Sequence, residues 1–315
     1  MKLLPLPPLL SRLPRLSRPP RLSSALLGAT ALELVVLAGH LAVYPFGLTP
    51  ERRPPTRSAG TEAGIGSGTA SGSPAPDPDE AAPPATALPV TAVAAPPPVV
   101  LLHGFIDNRS VFVLLRRALI RNGHDQGHHR HRHLESLNYS PLTRDIRTAA
   151  GLLGRHVEEI CARTGHHRVD IVGHSLGGLI ARYYVQRLGG DRRVRTLVTL
   201  GTPHGGTAVA PGAGVHPIVR QMRAGSSVIE ELRSPAPGCR TRFVSFWSEL
   251  DQVMVPTQTA CVDHPDLDAV NVRVTGIGHL ALPVHPTVAA AIREALDAPV
   301  TGEDAAPAAG AASVA

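Results

Sequence analysis

The feature that most constrains the fold is a serine between two glycines, placed where a strand pattern changes directly into a helix pattern. The β-branched run V-D-I-V at 169–172 leads into the sequence G-H-S-L-G at 173–177, and an amphipathic helical pattern begins at once. The glycines keep the turn free of side chains that would strike the adjoining strand and helix, so Ser175 can occupy a strained turn. Its hydroxyl then stands clear of the sheet edge, which requires a strand, a sharp turn and a helix in succession.

The surrounding sequence supplies such a sheet. Between residues 98 and 297, β-branched apolar runs alternate with amphipathic helical stretches, which is typical of a mostly parallel sheet flanked by helices. The pattern predicts strands at 98–104, 134–139, 169–173, 194–200, 242–247 and 270–276, and helices at 110–122, 143–163, 176–188 and 283–297. Residues 203–240 break the rhythm and predict a cap-like insertion over one end of the sheet. The predicted fold class is therefore α/β.

A serine hydroxyl is a poor nucleophile at neutral pH, so this turn implies a base and a group that orients the base. In this kind of sheet the order along the chain is serine, acid, histidine. Asp251 follows the fifth predicted strand and His279 follows the sixth, which brings both to the same edge as Ser175. Other side chains remain open as alternatives: Glu249, Asp263, Asp266 and Asp268 for the acid, and His264 and His285 for the base. Position relative to the sixth strand and the last helix weighs against most of them.

Acyl transfer also needs hydrogen-bond donors aimed at the oxyanion that forms on the attacked carbonyl, each worth about 3 kcal/mol. The backbone N–H of Leu176, directly after the serine, is one candidate. The second is expected from the loop after the first strand, where Phe105 follows His103 and Gly104. The sequence thus predicts an oxyanion hole formed by Phe105 and Leu176.

Several segments together resemble a known group of enzymes. They are LLHGF at 101–105, LNYSPLTRDIR at 137–147, residues 169–190, LGTPHGGT at 200–207, SELDQVMVP at 248–256 and GIGH at 276–279. The set resembles the α/β-hydrolase lipases and esterases of high-GC Gram-positive bacteria, which are secreted or held at the cell surface. The resemblance covers most of residues 98–297.

That resemblance implies an α/β-hydrolase fold and a carboxylic ester hydrolase of the triacylglycerol lipase or carboxylesterase type. It places the nucleophile on Ser175, the acid on Asp251, the base on His279 and the oxyanion donors on Phe105 and Leu176. The expected partner is a lipid or another acyl ester. An acyltransferase or thioesterase that uses the same residues, and a non-catalytic surface binding protein on this fold, remain alternatives.

The N-terminal part predicts export. Residues 1–24 form a basic leader, and residues 25–48 are an apolar stretch long enough to span a bilayer, which needs about 20 residues. This stretch is either an uncleaved signal anchor or the core of a signal peptide, although Glu33 and His40 weaken a stable span. N-terminal membrane contact, with the catalytic part outside, is therefore expected. Residues 49–97 predict a disordered Pro/Gly-rich linker, 98–297 the catalytic domain and 298–315 a flexible tail.

Composition bears on the remaining function classes. Aromatic residues make up 3% of the chain and are not interleaved with its arginines, so no nucleic-acid partner is expected despite a net charge of +6. The histidine-rich stretch 124–133 reads as a solvated loop, and neither a metal nor a cofactor is predicted. The three cysteines have no zinc or redox-motif spacing, and their disulfide pairing stays open: Cys161, Cys239 and Cys261.

Overall fold

A computed structural model describes residues 24–47, 95–105, 107–121, 132–138, 145–209 and 216–299. The predicted basic leader, nearly all of the predicted linker, almost the whole predicted tail and most of the histidine-rich stretch lie outside the described residues. The domain boundaries that depend on them stay predictions.

The described chain forms one six-stranded sheet in which every neighbouring pair of strands is parallel. The strands are β1 Val99–Leu102, β2 Leu134–Leu137, β3 Val169–His174, β4 Val194–Leu200, β5 Arg242–Ser248 and β6 Asp268–Val274. Their order across the sheet is β2-β1-β3-β4-β5-β6, so the strand that leads into Ser175 lies in the interior of the sheet. The carboxyl ends of all six strands meet at one edge, because parallel strands share a direction.

Seven α-helices accompany the strands in the described residues: α1 Ser24–Gly47, α2 Val113–Arg121, α3 Ile146–Thr164, α4 Leu176–Arg187, α5 Pro217–Gln221, α6 Ser227–Arg233 and α7 Pro286–Asp297. Short 3₁₀ turns occur at Arg109–Phe112, Gly190–Arg192 and Thr257–Ala260. The bounds of α3 have clear local causes. Asp145 accepts a hydrogen bond from the Thr148 N–H at its start, and Gly165 ends it in the left-handed conformation at φ 72°.

Alternate residues of β1 divide the apolar core between the two faces of the sheet. Val100 and Leu102 pack with α3 and α4, whereas Val99 and Leu101 pack with α2 and α7. Both faces are thus covered by helices, and the interior strands β1, β3, β4 and β5 are largely buried on both sides, as a parallel sheet requires, whereas the edge strand β6 is mostly exposed. The predicted parallel sheet flanked by helices is confirmed.

Some boundaries differ from the sequence prediction. The last helix begins at Pro286 rather than at 283, and His285 is its N-cap in an extended conformation at φ −76° and ψ 129°. A residue before proline is pushed out of the helical region, so Pro286 fixes the start. The second strand ends at Leu137 instead of continuing to 139. The segment predicted as a helix from 110 begins as a 3₁₀ turn, followed by α2.

The insertion at 203–240 contains α5 and α6 and packs firmly on the domain. Its apolar side chains are buried in the core cluster shared with α3 and α4: Ile218, Val219, Met222, Val228, Ile229 and Leu232. They therefore stabilise the described part of the insertion against the domain. The three cysteines are free thiols.

Candidate active site

Ser175 stands in the turn between β3 and α4 with φ 52° and ψ −120°. Among the described residues it alone, glycine apart, has a positive φ. Such a conformation is strained for a residue with a Cβ, and strain of this kind is characteristic of functional sites. The turn is held by the Ser175 N–H, which donates to the Leu200 carbonyl at 2.9 Å, and by the Thr202 hydroxyl, which donates to the Ser175 carbonyl at 3.0 Å.

The two glycines of the motif are required by close approach of the backbone. A Cβ on Gly173 would lie 2.5 Å from the Cα of Gly178, and one on Gly177 would overlap the Leu102 carbonyl oxygen. The strand and the helix therefore pack too closely for any side chain at these positions. This is the physical reason for the G-x-S-x-G pattern in the sequence.

A buried acid–histidine pair lies at the same edge of the sheet. Nδ1 of His279 is 2.8 Å from Oδ2 of Asp251, and the two residues are 5% and 3% exposed. The second carboxylate oxygen, Oδ1, accepts the backbone N–H groups of Val253 at 2.9 Å and Met254 at 3.0 Å. These bonds fix the carboxylate, so the imidazole that donates Nδ1–H to it keeps Nε2 available to accept a proton.

The surroundings move the two pKa values apart. Burial alone raises the pKa of Asp251, but the charge of His279 and the three hydrogen bonds outweigh it and hold that pKa below its ordinary value. For His279, burial lowers the pKa, and the negative charges of Asp251, Glu33 and Asp107 overcome this and raise it above its ordinary value. The pair is therefore arranged to stabilise an imidazolium, the species that a general base becomes when it takes a proton.

Backbone at Gly201, directly after β4, links the serine turn to this pair. Gly201 has φ 52°, and a Cβ there would lie 2.9 Å from Nδ1 of His279 and 3.0 Å from Oδ2 of Asp251. Leu200, the preceding residue, is the one that accepts the Ser175 N–H. Close packing at one glycine thus brings the acid–histidine pair next to the serine turn.

The oxyanion donors that the sequence predicts lie beside Ser175. A Cβ on Gly104 would be 3.4 Å from the Cβ of Ser175, so the residue before Phe105 lies close to the serine. Leu176 begins α4, and the first N–H groups of a helix have no acceptor within the helix. The role of Phe105 and Leu176 as oxyanion donors stays a prediction.

No hydrogen bond joins the Ser175 hydroxyl to His279 in the part of the chain that the structure describes. The rings of His174 and His279 are 4.8 Å apart, and Ser175 directly follows His174. Bonds between a nucleophile and its base are often long without substrate and tighten when the substrate binds. The contact between Ser175 and His279 therefore stays a prediction of the sequence, supported by the packing of both around Leu200 and Gly201.

The alternative acids and bases lie elsewhere. Glu249 is exposed and pairs with Arg273, and Asp266 accepts the Ala236 N–H at 2.7 Å. His264 contacts the Ser234 carbonyl oxygen at 3.1 Å. The remaining three occupy an exposed loop, the start of β6 and the N-cap of α7: Asp263, Asp268 and His285.

Two further residues of the site were missed by sequence reasoning. Nε2 of His174 contacts the carbonyl oxygen of His279 at 3.3 Å, and its Nδ1 lies 3.3 Å from Oδ2 of Asp107. His174 is 1% exposed. Its place as the variable residue of the G-x-S-x-G motif was the available signal, but which residue it contacts depends on the fold. Among the described residues, no group of three or more His, Cys, Asp or Glu side chains is arranged to hold a metal ion.

Comparison with known proteins bears on the fold that carries this site. Residues 98–237 match the family described as palmitoyl protein thioesterase. The structure is similar to lipase B of Aspergillus fumigatus, with a TM-score of 0.56 and 15% identity over 66% of this chain and 54% of that one. It is also similar to the mature lipase BlEst2 of Bacillus licheniformis, with a TM-score of 0.52 and 16% identity over 70% and 96%.

A third similar structure is the phospholipase PlaB of Legionella pneumophila, with a TM-score of 0.50 and 14% identity over 65% of this chain and 60% of that one. At identities this low the structural similarity shows the fold alone. The predicted α/β-hydrolase fold is confirmed. The predicted origin in high-GC Gram-positive bacteria receives no support from these comparisons.

Proposed function

We propose that this chain is a serine hydrolase that cleaves carboxylic acyl esters through an acyl-enzyme on Ser175. The observation that carries the proposal is a buried Asp251–His279 pair at the edge where the same sheet holds a serine in a strained turn. The family match and the fold support a hydrolase of the lipase, esterase or thioesterase type.

The proposed reaction has two halves. His279 takes the proton of the Ser175 hydroxyl at Nε2 while the oxygen attacks the ester carbonyl, and it returns the proton to the departing alcohol. Asp251 holds the imidazole by its Nδ1–H and stabilises the imidazolium. A water, activated by the same histidine, then attacks the acyl-enzyme and releases the acid. The backbone N–H groups of Phe105 and Leu176 bind the oxyanion in both halves.

A thioester is the second candidate substrate. The segment that matches the palmitoyl protein thioesterase family runs from β1 to the insertion and contains Ser175, Phe105 and Leu176. Attack on a thioester uses the same residues, with a thiol as the leaving group. Since thiols leave without full protonation, the demand on His279 as an acid is smaller.

The test uses the wild-type chain and the variant Ser175→Ala. We expect wild-type protein to release p-nitrophenol from short and medium acyl esters and to be labelled by a fluorophosphonate, and the variant to do neither. The same two proteins are assayed on an acyl thioester, and product analysis with an added alcohol detects acyl transfer. Absence of labelling in folded wild-type protein would contradict the proposal and favour a binding role.

Export and N-terminal membrane contact complete the proposal. In the structure α1 is long and apolar enough to cross a membrane, by length and composition. The five basic residues before it support an orientation with the catalytic domain outside. N-terminal sequencing of the protein recovered from cells distinguishes an uncleaved anchor from a signal peptide.

A further inference from the structure

Helix α1 lies on the catalytic domain by one stripe of its surface. The residues of α1 that are at least partly buried recur every three or four positions: Leu26, Ala29, Thr30, Glu33, Val36, Leu37, His40, Val43, Tyr44 and Gly47. The opposite side exposes large apolar side chains such as Leu34, Val35 and Phe46, at 63%, 68% and 75%. A period of 3.6 residues is the mark of one helix face, so α1 has an inward face that is partly polar and an outward face that is apolar.

This inward stripe, defined by the ten residues above, crosses the edge of the sheet that holds Ser175. Its polar groups contact loops that follow three different strands. Gln252, after β5, donates to the Thr30 hydroxyl at 3.0 Å, and Asn108, after β1, donates to the Tyr44 carbonyl at 2.8 Å. Nδ1 of His40 is 3.9 Å from Oδ1 of Asp107. The helix therefore lies against the loops that form the site.

Glu33 makes two hydrogen bonds with the loop after β6. Its Oε2 accepts the Leu280 N–H at 2.8 Å and its Oε1 accepts the Ala281 N–H at 3.0 Å. Gly278 leaves room for this approach, because a Cβ there would lie 2.7 Å from the Glu33 carboxyl carbon. Glu33 thus binds the backbone directly after His279 and packs against the glycine directly before it.

We propose that Glu33 is a positioning residue for His279, and that α1 completes the active site of its own chain. The inference rests on the proposed function, in which His279 is the base. Two charge-assisted hydrogen bonds hold the residues that follow His279, and a glycine before it admits the carboxylate. Loss of either feature makes the loop less fixed, so the His279 imidazole is held less accurately. The rate falls because catalysis depends on the position of that ring relative to Ser175.

The charge of Glu33 acts on the same ring. His279 faces Asp251, Asp107, Glu33 and the ring of His174, with His40 next to Asp107. The three carboxylates favour the imidazolium. Neutralising Glu33 removes one of them, which lowers the pKa of His279 and extends activity to lower pH. A purely structural role of Glu33 would leave the pH profile in place.

The proposal gives a reason for an acid in an otherwise apolar helix. An acidic residue near the middle of a membrane span costs about 3 kcal/mol on insertion scales. On the catalytic domain the same carboxylate is matched by two backbone donors. A helix docked in this way does not cross a bilayer, so this inference stands against both a membrane-spanning anchor and a removed signal peptide, and N-terminal sequencing that shows residues 24–47 to be absent from the active protein would overturn it.

The experiment compares the full-length wild type with Glu33→Gln and Gly278→Ala. Glu33→Gln keeps the shape but turns one acceptor into a donor, and Gly278→Ala displaces the carboxylate without altering its charge. We expect kcat on a soluble short-chain ester to fall about tenfold in each, as loss of a hydrogen bond to a charged group implies. The acid limb of kcat/KM should move to lower pH in Glu33→Gln.

A second measurement does not depend on activity. Amide hydrogen exchange of the peptide that contains Leu280 and Ala281 should be slow in the wild type and faster in Glu33→Gln. Leu34→Gln, which changes an exposed position on the same helix, is the matched control and should leave exchange, kcat and the pH limb at wild-type values.

The outcomes separate the two claims. A wild-type protein without esterase or thioesterase activity defeats the proposed function, and exchange alone then reports whether Glu33 holds the loop. An active wild type with unchanged exchange, kcat and pH limb in Glu33→Gln overturns the role of Glu33. Recovery of a fully active protein that lacks residues 1–48 overturns it as well.

Discussion

Two buried acid–base pairs stand at opposite ends of the same sheet. At the carboxyl end, Asp251 meets His279 at 2.8 Å. At the amino end, Asp170 of β3 meets Arg195 of β4 through two bonds of 2.9 and 2.6 Å. The side chains of both acids are at most 1% exposed. Similar geometry is thus built twice, once beside the strained serine and once far from it.

The difference lies in the base. The Arg195 guanidinium stays charged at every pH that a protein survives, and it also donates to the Leu296 carbonyl at 2.6 Å. It can only bind. The His279 imidazole changes its charge near neutral pH and has one nitrogen outside its bond to Asp251. A buried pair becomes a reactive pair when its base can gain and lose a proton next to a substrate.

The largest effect is expected from breaking the reactive pair. Asp251→Asn leaves the volume of the side chain but removes the charge that fixes and stabilises protonated His279, so kcat should fall about 10⁴-fold. Steady-state kinetics on a p-nitrophenyl ester measures it. Glu249→Gln, two residues away and exposed, is the control and should retain wild-type kcat. A loss below tenfold in Asp251→Asn would show that another acid orients the base.

Breaking the other pair should act on stability instead. Asp170→Asn removes the carboxylate that pairs with the largely buried Arg195 guanidinium, and breaking such a pair from one side costs about 3–5 kcal/mol of unfolding free energy. The folded fraction should retain kcat. Chemical denaturation followed by circular dichroism measures the loss, with Glu158→Gln as control. Glu158 pairs with Arg193 by two bonds of 2.8 Å but is exposed, so its removal should cost at most about 1 kcal/mol. Equal losses in both variants would refute the structural role of Asp170.

The fold could be predicted from the sequence because short-range sequence patterns determine its strands, helices and the turn at Ser175. The apolar strands and the glycines around Ser175 each report a constraint that acts within a few residues, and β4 lies at its predicted bounds. The start of α7 was misplaced because prolines at 283 and 286 are both compatible with a first helical turn. The structure selects Pro286, where the preceding residue is extended.

The predicted site residues follow from strand order, since residues after parallel strands must share an edge. The contacts that support these residues cannot be predicted from strand order. Glu33 lies 247 residues from Leu280 in the chain. From the sequence alone its carboxylate only weakens an apolar segment as a membrane span, and nothing indicates its partner. Likewise His174 and Asp107 become neighbours only when β1 and β3 pair. No periodic pattern reports such pairings.

A smaller effect is expected from His174, which touches the reactive pair and has no counterpart at the amino end. His174→Phe keeps a ring but removes the donor to the His279 carbonyl, and kcat should fall about tenfold with KM nearly unchanged. The exposed His167 provides the control His167→Phe, which should match the wild type. A rise in KM at constant kcat in His174→Phe would assign His174 to substrate binding rather than to the support of His279.

The smallest expected effect is the pH dependence of the stability that each pair contributes, and it distinguishes the two pairs most sharply. The pKa of His279 is raised in the folded protein, so its stabilising share is complete below the ordinary histidine value of about 6.5 and is lost as pH rises through the folded value. The pKa of Asp251 is lowered, so its share is complete above about 3.9 and is lost only as pH falls through its folded value. Arg195 does not titrate in this range. Burial raises the pKa of Asp170 above its ordinary value against the opposing charge of Arg195, and the two-bond geometry with Arg195 indicates that this carboxylate is ionised above pH 6.

The difference in unfolding free energy between wild type and Asp251→Asn should therefore shrink between pH 6 and pH 9, whereas the difference between wild type and Asp170→Asn should stay constant. Over the same range wild-type kcat/KM should rise along an acid limb that lies above pH 6.5, because the base must be neutral to act. Denaturation curves and pH–rate profiles on the same three proteins measure both quantities. Parallel pH dependence in the two variants would mean that His279 titrates no differently from an arginine partner, and its proposed role as the base would fail.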